Sequence, residues 1–348
     1  MTMTTVHESG ANGAAPQTPT PIDAAKTEAF AEQLLGMLNQ GALALMTSVG
    51  HRTGLFDAMA LLPPATSSQI ATAANLSERY VREWLGAMVT GRVVDYDPTY
   101  ETYRLPAEHA AWLTRRAAPN NLAVLAQHIG VLAAVEDDIV AVFQQGGGAP
   151  YERFHRFHEV MAEDSGQTVV AALLDYILPL APGLTAALER GIDVLDLGCG
   201  AGRALLLLAE TFPNSRFTGY DFSPEAIAIA RQSAADRGLP NLRFAAQDAA
   251  LLHETACYDL IFTFDAIHDQ AQPATVLRNL YRALRDDGLY LMQDIAGSSR
   301  LENNLEHPVA PFLYTISTMH CTTVSLAQGG EGLGAMWGKE KAMTMLAE

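Results

Sequence analysis

Between residues 192 and about 295, short β-branched or aromatic runs alternate with helical stretches. No other feature of the chain restricts its fold as much. DVLDL, RFTGYD, RFAAQD, YDLIFTF and GLYLMQD are interleaved with RALLLLAETF, EAIAIARQSAADR and PATVLRNLYRAL. Such alternation predicts a parallel sheet covered by helices, a doubly wound Rossmann-like α/β domain over residues 191–348. The chain stops at Glu348 inside an expected helix, so either the sequence is truncated or the expected sheet lacks its final hairpin.

The 348 residues leave room for a second domain. A formal net charge of −17 repels nucleic acid and anionic membrane over long range. The three cysteines, Cys199, Cys257 and Cys321, lie far apart with no zinc or disulfide spacing. This suits a reducing, cytoplasmic setting. Residues 1–22 lack the basic and apolar regions of a signal peptide and read as a disordered lead. The longest apolar stretch, residues 168–188, is interrupted by Asp175, Pro179 and Pro182, which argues for a buried helix and its exit rather than a membrane span.

Residues 23–116 form the second domain. A helical pattern over 28–60 carries Phe30, Leu34, Leu38, Leu45 and Met46. Thr66 and Gln69 form a capping box, Asn75 makes a turn, and Ser77 caps a helix with Tyr80, Val81, Trp84, Leu85 and Met88 on one face. Gly91 ends that helix, and RVVDY and TYRL follow as a hairpin around an Asp-Pro turn. Helix, turn, helix and hairpin make a winged helix. Its second helix sets Glu78 and Glu83 against Arg79 and Arg82, which leaves little charge to neutralise phosphates. Packing and dimerisation are therefore expected of it, not nucleic-acid binding. Residues 117–190 read as a helical linker and lid, broken at Gly146–Gly148. YERFHRFHEVMAED groups Tyr151, Phe154 and Phe157 with His155 and His158, but no third ligand accompanies the histidines and no metal is expected.

VLDLGCGAG ends the first strand and opens a helix. Gly198, Gly200 and Gly202 let a ligand approach the backbone. Dinucleotide turns want a small residue at position 203, where this chain has Arg, and Asp196 stands beside the turn. A fixed carboxylate is a poor neighbour for a pyrophosphate and a good one for an ammonium or sulfonium. S-adenosylmethionine carries both cations and no phosphate. Asp221 ends the second strand 19 residues after Gly202, where an acid accepts from ribose hydroxyls. Asp248 follows the third strand, where an acid accepts from an adenine amine, and Phe222 flanks the ring.

VLDLGCGAG, GYDFS and AAQDA, in this order and spacing, resemble the class I S-adenosylmethionine-dependent methyltransferases. The resemblance covers 192 to about 295. It implies cofactor contacts at Asp196, Gly198, Gly200, Gly202, Asp221, Phe222 and Asp248, with Gln247, Ala249 and Phe264 as backbone or packing contacts. FDAIHDQAQPATVL resembles the loop of small-molecule O-methyltransferases that have a winged-helix N-terminal domain. The resemblance implies His268 as general base, oriented by Asp294 in YLMQDIAG, with Glu340 as a second acid. It also implies a homodimer through the N-terminal helices.

Residues 300–337 form a long connection, expected to be a lid or pocket element in which Phe312, Tyr314, Met319, His320 and Trp337 line an apolar acceptor site. The expected activity is methyl transfer to a small hydrophobic or aromatic acceptor, with a hydroxyl as the acceptor atom considered. A ligand-sensing winged-helix regulator and a cofactor-binding protein without turnover are the alternatives.

Overall fold

The protein was analysed as a computed structural model that describes residues 21–348. The expected lead over 1–22 lies almost wholly outside the described residues. Helix α1 (Ala24–Arg52) is followed by α2 (Leu55–Ala60), α3 (Ser67–Ala74) and α4 (Glu78–Thr90), then the hairpin β1 (Asp95–Asp97) and β2 (Thr102–Arg104). The capping box forms as its residues predict. The Thr66 side chain accepts from the Gln69 amide while Gln69 Oε1 accepts from the Thr66 amide at 2.8 Å. Asn75 then takes the left-handed conformation, φ 53°, that turns the chain into α4.

Val81, Trp84, Leu85 and Met88 of α4 are buried with Leu55, Phe56 and Ile70. Tyr80 is not among them. It is 79% exposed, because it stands about 100° around the helix from the stripe at 81, 84, 85 and 88. Ser77 occupies the cap position of α4 without a side-chain hydrogen bond. Gly91 ends α4 for a packing reason rather than a left-handed one: its φ is −80°, and a Cβ there would stand 2.3 Å from Leu43.

The connection to the sheet is helical, as its periodicity predicts. After α5 (Ala107–Leu113), within the span read as the winged helix, the connection comprises α6 (Ala126–Ala133), α7 (Glu136–Gln145), α8 (Phe157–Ser165) and α9 (Leu184–Arg190). Gly146 and Gly147, with φ of 74° and 81°, make the break after α7. Two π-helical turns, Gly166–Val170 and Leu173–Ile177, follow α8.

The sheet is built from β3 (Asp193–Leu197), β4 (Arg216–Asp221), β5 (Leu242–Ala246), β6 (Tyr258–Phe264) and β7 (Leu284–Gln293). Their spatial order is β5-β4-β3-β6-β7 and all neighbours are parallel. Helices α10 (Arg203–Thr211), α11 (Pro224–Asp236) and α12 (Pro273–Ala283) cover it. Strand alternation divides the core between the two faces. Val194, Leu260 and Phe262 join Leu205 and Phe217 on one side. Leu195, Leu197 and Ile261 join Ile267 and Leu280 on the other.

After β7 come α13 (Ala310–Ile316), a π-helical turn over Ser317–Cys321, α14 (Thr322–Ala327) and α15 (Gly338–Ala347). No strand follows β7 among the described residues. The strand order reverses between β3 and β6, so the carboxyl ends of these two strands bound the crevice where open α/β sheets bind ligands.

Candidate active site

The glycine turn lies at that crevice. The amides of Gly198 and Cys199 donate to the Tyr220 carbonyl at 2.8 and 3.1 Å, fastening the turn to β4. Gly198 has φ 79°, and a Cβ on it would meet the Ala266 Cβ at 2.4 Å, so only glycine lets the turn close against the loop after β6. Gly202 has φ 73° and packs against Phe244 and Ala230 in the same way, whereas space is open around Gly200.

Asp221 accepts from the Gly200 amide and from the Ser223 amide, both at 2.8 Å. It thus joins the turn to the end of β4 while each oxygen retains a lone pair. Asp248 caps the short turn after β5 by accepting from the Ala250 amide at 2.8 Å. Gln247 pairs its amide with the Asp221 carbonyl at 2.9 Å, and the Ala249 carbonyl accepts from Asn279 at 3.2 Å. Phe222 is 58% exposed at the rim, while Phe264 packs on Phe262 at a centroid distance of 5.3 Å.

Asp196 provides the electrostatic signature of the crevice. It is 2% exposed, and Oδ1 has no hydrogen-bond partner among the described residues. Burial, and then the nearby Asp221 carboxylate, push its pKa up to about 8. A buried acid in that state is stabilised in its charged form by an incoming cation. The donor set therefore fits a ligand with a positively charged amino-acid end and a neutral nucleoside, which is what S-adenosylmethionine offers.

Next to the turn, the loop after β6 carries His268, which is 4% exposed. Its Nδ1 lies 2.7 Å from Asp294 Oδ1, at the end of β7. Asp294 Oδ1 also accepts from the Ile295 amide at 2.8 Å, which fixes the carboxylate. Burial by itself would drive the proton from the His268 ring. Contact with the Cys321 thiol and the Asp294 carboxylate outweighs it and holds the pKa well above 6.5. Asp269 stands nearby with its pKa raised to about 6, chiefly by burial.

The loop is clasped from the C-terminal side. Ser325 Oγ donates to the Gln270 carbonyl at 3.0 Å, and the Glu331 and Gly334 amides donate to the Ala271 and His268 carbonyls at 3.1 and 3.2 Å. Glu340 is elsewhere. It accepts from Ser298 Oγ and the Ser299 amide, both at 2.8 Å, and so closes the 298–300 turn instead of reaching His268.

Of the residues read as acceptor lining, His320 is buried in an aromatic cluster and Met319 packs beside it. Phe312 reaches the same cluster through His128, with centroids 6.1 Å apart. Tyr314 directs its hydroxyl to Asn304, 3.0 Å from Nδ2. Trp337 belongs to the sheet core with Leu195 and Ile267, because α15 packs there. Among the described residues no group of three or more metal-ligating side chains comes together.

Comparison with known proteins matches both parts of the chain to family models. Residues 188–348 match the family model described as a methyltransferase domain, and residues 41–115 match the Rv2258c-like winged HTH domain. The chain has the domain pair and the fold of the S-adenosylmethionine-dependent methyltransferases.

Among curated methyltransferases, it is 35% identical over 106 residues to trans-aconitate 2-methyltransferase of Azoarcus sp. (strain BH72), covering 30% of this chain and 40% of that one. It is 32% identical over 121 residues to malonyl-[acyl-carrier protein] O-methyltransferase of Bacillus anthracis, covering 32% and 43%. The matches thus span about two-fifths of those relatives' lengths. Among solved methyltransferase structures, human N-acetylserotonin methyltransferase in complex with S-adenosylmethionine superposes with a TM-score of 0.65 at 14% identity, over 95% of this chain and 93% of that one. Mitomycin 7-O-methyltransferase gives 0.63 at 18% identity, over 93% and 92%. At these identities the structural likeness is one of fold.

Sequence reasoning missed several side chains close to this crevice. Cys321 touches His268, and Tyr151 lies close enough to Asp269 and Asp221 to feel their charge. His128 and Asp164, on α6 and α8, are 3.2 Å apart. The last two are 36 residues apart in the chain, and no local pattern announces such a pairing. Tyr151 stood in the aromatic run already noted, and that run was the available signal.

Proposed function

We propose that the chain transfers the methyl group of S-adenosylmethionine to a hydroxyl of a small, hydrophobic or aromatic acceptor. The observation that carries this reading is the buried His268–Asp294 pair at the same sheet edge as the carboxylate-lined glycine turn. When bound, the cofactor supplies an electrophilic methyl carbon on a sulfonium. Asp196 and Gly200 would hold its amino-acid end, Asp221 its ribose hydroxyls and Asp248 its adenine amine, with Phe222 flanking the ring.

Asp294 holds the His268 Nδ1–H, which presents Nε2 as a base. His268 takes the proton of the acceptor hydroxyl as the new oxygen–carbon bond forms, leaving an imidazolium that Asp294 stabilises. Methyl transfer is an in-line displacement, so placement and exclusion of water contribute most of the remaining effect. Burial of the site under α8 and the 310–327 helical segment serves both.

The winged helix supports a structural role. Arg79 pairs with Glu83 at 2.5 Å and Arg82 with Glu78 at 3.2 Å, so its second helix has its cations already matched. A homodimer joined through the exposed apolar side chains of α1 completes the reading. No described helix is long and apolar enough to cross a membrane.

Titration calorimetry with S-adenosylmethionine, S-adenosylhomocysteine and NADH tests the cofactor. The first two bind and NADH does not; NADH binding in their place overturns the reading. Sequence-specific retardation of DNA at low salt would favour the regulator instead.

A further inference from the structure

His320 is 1% exposed, yet neither of its ring nitrogens has a hydrogen-bond partner among the described residues. Buried polar groups are almost always paired, so an unpaired imidazole calls for a cause. Its ring stacks on Phe157, with centroids 3.6 Å apart and planes at 11°. Tyr151 and Phe154 meet it edge-on at 5.0 and 4.7 Å. His128 lies against the same Phe157 at 6.3 Å. It is also 1% exposed, and its Nε2 is 3.2 Å from Asp164 Oδ2, while His128 Nδ1 and Asp164 Oδ1 lack partners.

The donor and acceptor inventory is specific. A His128 ring that donates Nε2–H to Asp164 and carries a single proton offers a lone pair at Nδ1. His320 is buried beside His268, His128 and His158, all of which disfavour a charge on it, and it is therefore neutral, with one donor and one acceptor. A group that donates to one ring and accepts from the other is a hydroxyl, of a water molecule or of a ligand that displaces it. The π-helical turn Ser317–Cys321 makes this arrangement compatible with catalysis, because it turns two successive residues inward. His320 faces the aromatic cluster while Cys321 touches His268.

We propose that His320 and the His128–Asp164 pair bind a second hydroxyl of the acceptor, so that the acceptor is an aromatic diol whose other hydroxyl faces His268. This rests on the O-methyl transfer reading above. The aromatic skeleton follows from the rings gathered around the two histidines: Phe157, Tyr151, Phe154 and Phe312.

The test uses the full chain loaded with S-adenosylhomocysteine and compares 1,5-dihydroxynaphthalene with 1-naphthol by calorimetry. The diol binds at least tenfold more tightly to the wild type. His320→Phe keeps the ring and the stacking, removes both nitrogens, and abolishes that preference with S-adenosylhomocysteine affinity unchanged. His128→Phe abolishes the preference as well. In the free protein, His320→Phe leaves the melting temperature equal or higher, because the nitrogens it removes were unpaired. Equal binding of the two naphthols, binding of neither, a preference that survives both variants, or a melting temperature several degrees lower each overturns the proposal. Intact S-adenosylhomocysteine binding in those cases leaves the methyltransferase reading standing, whereas its absence from the wild type overturns both.

Discussion

Two residues carry the proposed chemistry, and each makes its own prediction. His268→Ala removes the base but touches nothing in the glycine turn. Turnover with the true acceptor falls about 10²–10⁴-fold while affinity for S-adenosylmethionine is unchanged, as rate assays and calorimetry will report. His268 acts only when neutral, and its pKa is held well above 6.5, so kcat/KM rises with pH through that higher value. A profile flat across this range would remove His268 from the mechanism. Asp196 behaves in the opposite sense. With its folded pKa near 8, it is ionised in the unfolded chain and protonated in the native one between about pH 4 and 8. The native state therefore loses stability from this group as pH rises through that window. Binding of a cation at pH 6.5–7.5 expels the proton, which appears in calorimetry as a binding enthalpy that depends on the buffer. Asp196→Asn abolishes that dependence and weakens cofactor binding about tenfold or more.

Among the elements, the glycine turn and the clasp on the His268 loop are set by close backbone approach. Gly202→Ala forces a Cβ into Phe244 at 2.4 Å with φ at 73°, and about 1–3 kcal/mol of stability is lost, as denaturant titration will show. Gly330→Ala places a Cβ 2.4 Å from Ala271 Cα, in the segment that holds the His268 loop. Displacing the base by a fraction of an ångström lowers turnover about tenfold or more, with cofactor affinity preserved. The strands and their order of use could be read from the sequence because alternating apolar runs and helical periods are local. The capping box at Thr66 was legible for the same reason. The exposure of Tyr80 and the placement of Trp337 in the sheet core were not, since each depends on which neighbour covers that face.

For the whole molecule, the unburied apolar residues of α1 matter most. Phe30, Leu34, Leu35 and Leu38 are between 44% and 70% exposed. An apolar stripe of this kind marks an association surface. Light scattering is expected to give twice the monomer mass, and Leu35→Glu with Leu38→Glu to return it to the monomer. A wild-type monomer at micromolar concentration would show that no second copy covers this stripe.

The sequence by itself determined the parallel α/β sheet and the winged helix ahead of it, and it raised the expectation of a crevice for a cation and not a phosphate. Each rests on residues close together in the chain: periodic side chains, glycines in a turn, an acid at a strand end. Only the tertiary structure decided that Glu340 closes a turn away from His268 and that Asp196 is stripped of partners. The fold also decided that His128, Asp164 and His320 meet around Phe157. These are relations between segments tens to hundreds of residues apart, and burial, the physical quantity that sets their protonation and pairing, exists only once the chain has folded.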